Sequence, residues 1–372
     1  MGGSRPVDVD GDDLSRLRSR RRGRGSRRLN TLSLSGLALS ASLLGITLMP
    51  VPYAFTQPGP TVDVLGEVDG IPLIQVLDET PTYEPTGQLL LTTVQAFGGP
   101  GNPMFVGQVI AGWFDNETAV EPVEWLFDVE QTAEERDQIA QAQMISSQEY
   151  ATVAALEELG YSVPTKLTVG HVLADSGAYG VIEEGDVFLE LNGTALISYT
   201  QLTGLLSEIE PGATVQLRIL RGDSEQVVEV TTTDSGQGRA LIGVLVDPEF
   251  TSPVDIEIQI NNIGGPSAGL MFALGIIDLL TPEDEAAGQN IAGTGTIGLD
   301  GVVGPIGGIT QKLAGAARDG AEWFLAPAEN CAEVVGNVPT GLRVVRVETL
   351  SEALAAVTAI GAGQGETLPT CS

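Results

Sequence analysis

Ser267 and Lys312 are the two residues of this chain best placed by type and setting to do chemistry. Ser267 lies in Gly264-Gly265-Pro266-Ser267-Ala268-Gly269, between an alternating strand pattern, Val254 to Ile260, that leads in through Asn261-Asn262-Ile263, and an apolar helical run, Leu270 to Leu280. Its hydroxyl therefore sits at the mouth of a helix, where free N–H groups and the positive end of the dipole can stabilise an oxyanion. The flanking glycines let a substrate backbone come close, and Pro266 suits a first helical turn. A serine hydroxyl is a weak nucleophile until a base takes its proton. Lys312, in Ile306-Gly307-Gly308-Ile309-Thr310-Gln311-Lys312, can be that base only if burial lowers its pKa from about 10.4 toward neutrality. Ile306, Ile309, Leu313 and Ala314 supply apolar surroundings. Taken singly, GPSAG reads equally as a strand-to-helix turn and a helical lysine as a solvated side chain. The pairing carries more weight, because Lys166 and Lys312 are the only lysines in the chain.

Other residue types exclude more than they suggest. The single histidine, His171, removes HExxH zinc chemistry and any multi-histidine metal site, and its distance in sequence from Ser267 argues for a surface or packing role. No GxxxxGK[ST] segment is present, so the sequence offers no P-loop for ATP, and no cofactor is expected. The net charge of −31 over 372 residues is uneven: nine arginines stand against four aspartates before residue 29, while the rest is strongly acidic. So acidic a body repels phosphate backbones, which excludes nucleic-acid binding. Cys331 and Cys371 read either as one disulfide holding the C-terminal tail or as a buried thiol and a tail thiol.

The elements that must position these residues follow in order. The arginines precede an uncharged run, Leu32 to Val51, of the roughly 20 residues that one bilayer crossing needs. The arginines hold the N-terminus in the cytoplasm and place the body outside. Residues 1–28 are thus a basic cytoplasmic tail and 29–53 a transmembrane signal-anchor, the alternative being a cleaved signal peptide that frees a secreted protein. Residues 54–125 are β-rich, with Gln88 to Val94 as one strand; 126–160 form a helical linker, its helix running from Thr132 to Leu159 and ended by Gly160.

Glu184-Gly185-Asp186-Val187, Leu191-Asn192-Gly193, the helical stretch Tyr199 to Ile209 and the strands Val215 to Leu220 and Gln226 to Val230 resemble a PDZ domain over residues 161–236. The resemblance implies a peptide C-terminus added as a strand, its carboxylate held by backbone amides of a glycine-containing loop. Gly160, Tyr161, Ser162 and Val163 match that loop best, although Gly160 reads equally as a helix cap.

GGPSAGLMFALGIIDLLTP, IAGTGTIGLDGVVGPIGGITQKLAGAARDGA and FLAPAEN resemble the proteolytic domain of Lon proteases, placed here at residues 237–362 with 363–372 as a tail. The resemblance implies that Ser267 is the nucleophile, Lys312 the general base and Thr294 a support for the lysine, and that the protein assembles as a hexameric ring. It also implies that residues 54–125 hold the first part of the protease domain, with the PDZ-like module inserted in it. Two departures are plain. Gly264-Gly265 replaces the usual Asp-Gly before PSAG, and a membrane anchor with a PDZ-like module stands where Lon has its AAA+ ATPase. The fold class expected is α+β: an N-terminal transmembrane helix, a PDZ-like β-sandwich or barrel module and a Lon-type α/β proteolytic domain. The function expected is a membrane-anchored, extracytoplasmic, ATP-independent serine endopeptidase acting on envelope proteins or peptides, whose PDZ module binds substrate tails. The alternative is a non-catalytic PDZ scaffold.

Overall fold

A computed structural model of the chain describes residues 32–371, apart from 69, 100, 129, 130, 237, 261 and 262. The basic tail at 1–28, residues 29–31 of the expected anchor and the Asn261-Asn262 lead-in therefore lie outside the described residues.

The chain divides into two compact units, the first comprising Met1–Phe55 and Phe97–Val129. In it a helix runs over residues 32–47 with its leucines from Leu32 to Leu48 exposed, and Pro50–Val51 pairs antiparallel with Met104–Phe105. This corrects the expectation of one helix across 29–53. Pro50 and Pro52 lack the amide donors a helix needs, and the chain turns to extended structure before them. No helix among the described residues is long and apolar enough to cross a membrane.

The second unit, Thr56–Ala96 with Glu130–Ser372, carries both modules of interest. Its principal sheet is built from β1 (Tyr53–Asp63) and β3 (Gln88–Phe97), with a short strand, β2 (Ile74–Val76), between them in sequence but outside that sheet. Helix α1 (Ala133–Glu158) follows, started by Thr132, whose hydroxyl accepts from the Glu135 amide while the Glu135 carboxylate accepts from the Thr132 amide. Met144, Ser147, Ala151, Ala154 and Ala155 recur at helical spacing on its buried stripe. Expected as a linker, α1 is thus a core helix.

The PDZ-like sheet comes next, from β4 (Thr165–Val172), β5 (Val187–Leu191), helix α2 (Tyr199–Ser207), β6 (Thr214–Arg221), β7 (Ser224–Thr231) and β8 (Val244–Phe250). The order β7-β6-β5-β4-β8 is antiparallel throughout, so this sheet reaches beyond the expected boundary at residue 236. The chain then re-enters the first sheet-and-helix body through β9 (Ile256–Ile258), which pairs with β2. The PDZ-like module therefore lies between two halves of one folded body.

The second half supplies α3 (Gly269–Leu280), β10 (Asn290–Gly293), the hairpin β11 (Thr296–Ile297) and β12 (Val303–Gly304), α4 (Ile309–Arg318), β13 (Trp323–Pro327), α5 (Cys331–Val334), β14 (Arg343–Val347) and α6 (Leu350–Gly361). Within this unit the strand order is β14-β13-β10-β3-β1, with β3, β10, β13 and β14 parallel. Side chains alternate across it. Leu89, Leu91, Ile291, Leu325 and Val345 join the cluster of α1, α3 and α6, whereas Leu90, Ala292, Phe324, Ala326 and Val344 join that of α4. Helices α3 and α4 consequently cover opposite faces. Their N-terminal parts converge on the carboxyl end of β10, the position where open parallel sheets place their sites. At the C-terminus Cys331 and Cys371 form a disulfide, and the Arg346 amide donates to the Pro369 carbonyl, so the tail is tied down.

One core residue has a measurable cost. Asp278, on α3, is buried; its Oδ1 accepts from the Glu285 amide, while Oδ2 has no partner. Burial pushes its carboxyl up to about 6, with nearby Asp284 and Glu285 adding to the rise. Folding therefore favours the protonated form, and the stability this contributes is lost as pH rises through about 6. Asp278→Asn should stabilise the protein by roughly 1–3 kcal/mol at pH 8, with little gain at about pH 3.5, below the ordinary carboxylate value, as read by urea denaturation at the two pH values.

Candidate active site

The loop carrying Ser267 is gripped from both sides. Toward α1, the Gly265 amide donates to the Ala140 carbonyl at 2.8 Å and the Ser147 hydroxyl to the Pro266 carbonyl at 3.0 Å. Toward β10, the Ser267 carbonyl accepts from the Gly295 amide at 3.0 Å and the Thr294 hydroxyl at 3.1 Å. Gly265 holds a φ of +91°, and a Cβ at Gly264 would come within 2.8 Å of the Ala140 side chain. Helix α1 thus occupies the space into which an aspartate at 264 would have to fit, which gives the Gly-Gly departure a steric cause. Neither Ala140 nor Ser147 was singled out from the sequence. Ser147 had only its position on the buried stripe of the helix as a signal, and half-buried Ala140, which acts through its carbonyl, had none.

Lys312 reaches this loop from α4, one turn after Gly308, whose φ of +70° starts the helix. Only 2% of Lys312 is exposed. Its Nζ stands 2.8 Å from Ser267 Oγ and 2.8 Å from Thr294 Oγ1. Burial alone lowers its pKa to about 7. Thr294, immediately after β10 and also buried, fixes the direction of the protons. Its single hydroxyl proton goes to the Ser267 carbonyl, so Oγ1 accepts from Lys312. A neutral amine that spends one N–H on Thr294 is held so that its lone pair can face Ser267 Oγ. Beside this group, α1 and β11 line a mainly apolar open cleft of about 380 Å³ that includes Ile139, Gln143, Tyr150, Pro266, Thr296 and Ile297.

The structure therefore brings Ser267, Lys312 and Thr294 into direct contact. It does not do the same for the expected carboxylate loop. The Gly160 amide donates to the Glu157 carbonyl and the Tyr161 amide to the Leu156 carbonyl, which is the hydrogen-bond pair of a glycine-terminated helix. Val163 is buried in a cluster with Val153, Leu156 and Leu299, and the strand edge beside β4 is filled by β8. Gly160, Tyr161, Ser162 and Val163 are a helix end rather than an open anion cradle. His171 stands exposed on β4, paired with Glu184, away from the serine.

Residues 241–359 match the Lon protease (S16) C-terminal proteolytic domain. Residues 142–232 match the PDZ domain. The chain carries a Lon-type proteolytic domain joined to a PDZ domain. The Lon protease of Clostridioides difficile is 32% identical over 175 residues, 42% of this chain and 21% of the relative. Lon protease 2 of Bacillus subtilis is 36% identical over 109 residues, 27% of this chain and 19% of the relative. The chain thus spans about a fifth of the length of these curated relatives. Among solved structures, the PDZ domain of an SdrC-like protein from Listeria monocytogenes aligns at 25% identity with a TM-score of 0.21, over 23% of this chain and 88% of that one. The first part of the PDZ match, residues 142–158, lies on α1, which packs in the Lon-type core.

Proposed function

We propose that the protein is a serine endopeptidase in which Ser267 is the nucleophile and Lys312 the general base, acting without ATP on flexible protein segments. The observation that carries this reading is the buried Lys312 amine 2.8 Å from the Ser267 hydroxyl, with its pKa lowered to about 7. Neutral Lys312 takes the Ser267 proton as Oγ bonds to the scissile carbonyl carbon. The protonated amine then gives that proton to the leaving nitrogen as the C–N bond breaks. Water, deprotonated by Lys312, releases the acyl group and restores the hydroxyl. Among the described residues nothing accepts from the Ser267 and Ala268 amides, which lie at the start of α3 where an oxyanion would be held.

A fluorophosphonate probe tests the assignment. It should modify Ser267, identified by mass spectrometry, and should label Lys312→Met at least about 100-fold more slowly, the factor a general base supplies. Failure to label Ser267, with no cleavage of an unfolded protein, would leave only a tail-binding scaffold.

Three further parts belong to the same proposal. Membrane anchoring is supported by the arginine-rich start, the uncharged run after it and the exposed leucines of the helix at 32–47, with the proteolytic domain outside. Substrate tails are captured by the PDZ module along the outer edge of β8, whose Val244 and Val246 pack against the same cluster as Leu205 and Leu206 of α2. Assembly into a homo-oligomeric ring, a hexamer, is carried by the likeness to Lon alone.

A further inference from the structure

Helix α4 begins with a weakness that the dyad cannot tolerate. It starts after Ile306-Gly307-Gly308, and its N-cap, Gly308, has no side chain to cap the free amides. Two successive glycines give this entry more backbone freedom than any other pair of residues would. Yet the Lys312 amide bonds to the Gly308 carbonyl at 3.0 Å, so any slide of the entry moves the base relative to Ser267.

One side chain removes that freedom. Asn330 is 2% exposed, and its carboxamide holds both backbone groups of Ile306. Oδ1 accepts from the Ile306 amide at 2.9 Å and Nδ2 donates to the Ile306 carbonyl at 2.9 Å. A carboxamide offers a donor and an acceptor side by side, at any pH, in the pattern of a strand neighbour. Asn330 is itself well anchored. It follows β13, whose Leu325 carbonyl accepts from the Thr294 amide, and it precedes Cys331, which is bonded to Cys371. The segment that sets Thr294 thereby also sets the start of the Lys312 helix.

We propose that Asn330 is a positioning residue for the dyad: by clamping Ile306 it fixes the origin of α4 and holds the Lys312 amine in its dry place against Ser267. This rests on the dyad reading and extends it to a residue that touches no reacting atom.

The test compares wild type, Asn330→Ala and Asn330→Asp on cleavage of an unstructured protein, across pH, beside thermal melts. With Asn330→Ala, kcat should fall about 10- to 100-fold while KM stays within about twofold of wild type. The midpoint of the alkaline rise should move upward from about 7 as water reaches the amine. Asn330→Asp adds a readout that loss of stability alone would not move. A protonated carboxyl, like the carboxamide, offers one donor and one acceptor, whereas a carboxylate repels the Ile306 carbonyl. Glu333 Oε1, 3.4 Å from Nδ2, would favour the protonated form of an aspartate here. The kcat ratio of Asn330→Asp to Asn330→Ala should therefore rise about fivefold or more on going from pH 8.5 to pH 6, as the carboxyl, raised by burial and by Glu333, takes up its proton. A wild-type midpoint in Asn330→Ala, or a ratio flat with pH, overturns the positioning role. If Asn330→Ala does not fold, the Asn330→Asp profile against wild type decides in the same way. If Ser267→Ala still cleaves, it is the dyad reading that fails, not this extension of it.

Discussion

Lys312→Met should destroy turnover and at the same time make the protein harder to unfold. A buried amine whose pKa falls from 10.5 in the open chain to about 7 must shed its proton on folding at any pH between those values. At pH 7.5 this costs about 4 kcal/mol, from 1.36 kcal/mol per unit. The methionine fills similar volume with no such cost. Against the gain stands the loss of hydrogen bonds to Ser267 and Thr294, worth about 1 kcal/mol each. The net should be a rise of roughly 2–3 kcal/mol, read as a melting temperature higher by roughly 5–10 °C for a domain of this size. The sign has a pH signature: the unfolded state binds the extra proton between about 7 and 10.5, so wild-type stability climbs across that window and the advantage of the variant shrinks. Under the proposed mechanism proteolysis should drop by about 10²- to 10⁴-fold, because among the described residues no other base is bonded to the hydroxyl. A variant that kept activity, or one less stable than wild type at neutral pH, would remove Lys312 from the mechanism.

Turnover in the wild type should fall about tenfold per pH unit below about 7, reaching about 100-fold at pH 5, since only the neutral amine can accept the serine proton. The groups facing the amine are the hydroxyls of Ser267 and Thr294, and no carboxylate among the described residues props up the charged form. Asp278 titrates nearby in pH but acts oppositely, its protonation stabilising the fold in acid. Loss of activity in acid without loss of structure, followed by parallel kinetics and circular dichroism, separates the two groups. A rate flat from pH 5 to 8 would mean that Lys312 is not the limiting base.

The sequence made the dyad legible because its chemistry is local: a serine at a helix mouth and a lysine in an apolar patch each announce themselves within a few residues. What holds them is not local. Ala140 and Ser147 act through a backbone carbonyl and a hydroxyl on a helix whose pattern says only that one stripe is buried. Asn330 pairs with Ile306 across a loop, and an asparagine in sequence carries no mark of its partner. Periodicity located α1 between Thr132 and Gly160 but could not say that its stripe meets α3 rather than solvent. The glycine at 160 was assigned two roles by its type, and hydrogen bonding chose the cap. Hydropathy alone extended a helix through Pro50, where the missing amide donors of two prolines end it.

The interruption of the Lon-type body by the PDZ sheet governs when this protein can become itself. The Thr92 hydroxyl meets the Gly293 carbonyl across 201 residues of sequence, and β3 lies alongside β10 over the same gap. During synthesis the early strands emerge with apolar faces and no mate, while the PDZ sheet draws all its strands from Thr165 to Phe250 and can close without the segments that flank it. The place where Ser267, Thr294 and Lys312 meet can therefore form only after the segments on both sides of the PDZ sheet are available to pair.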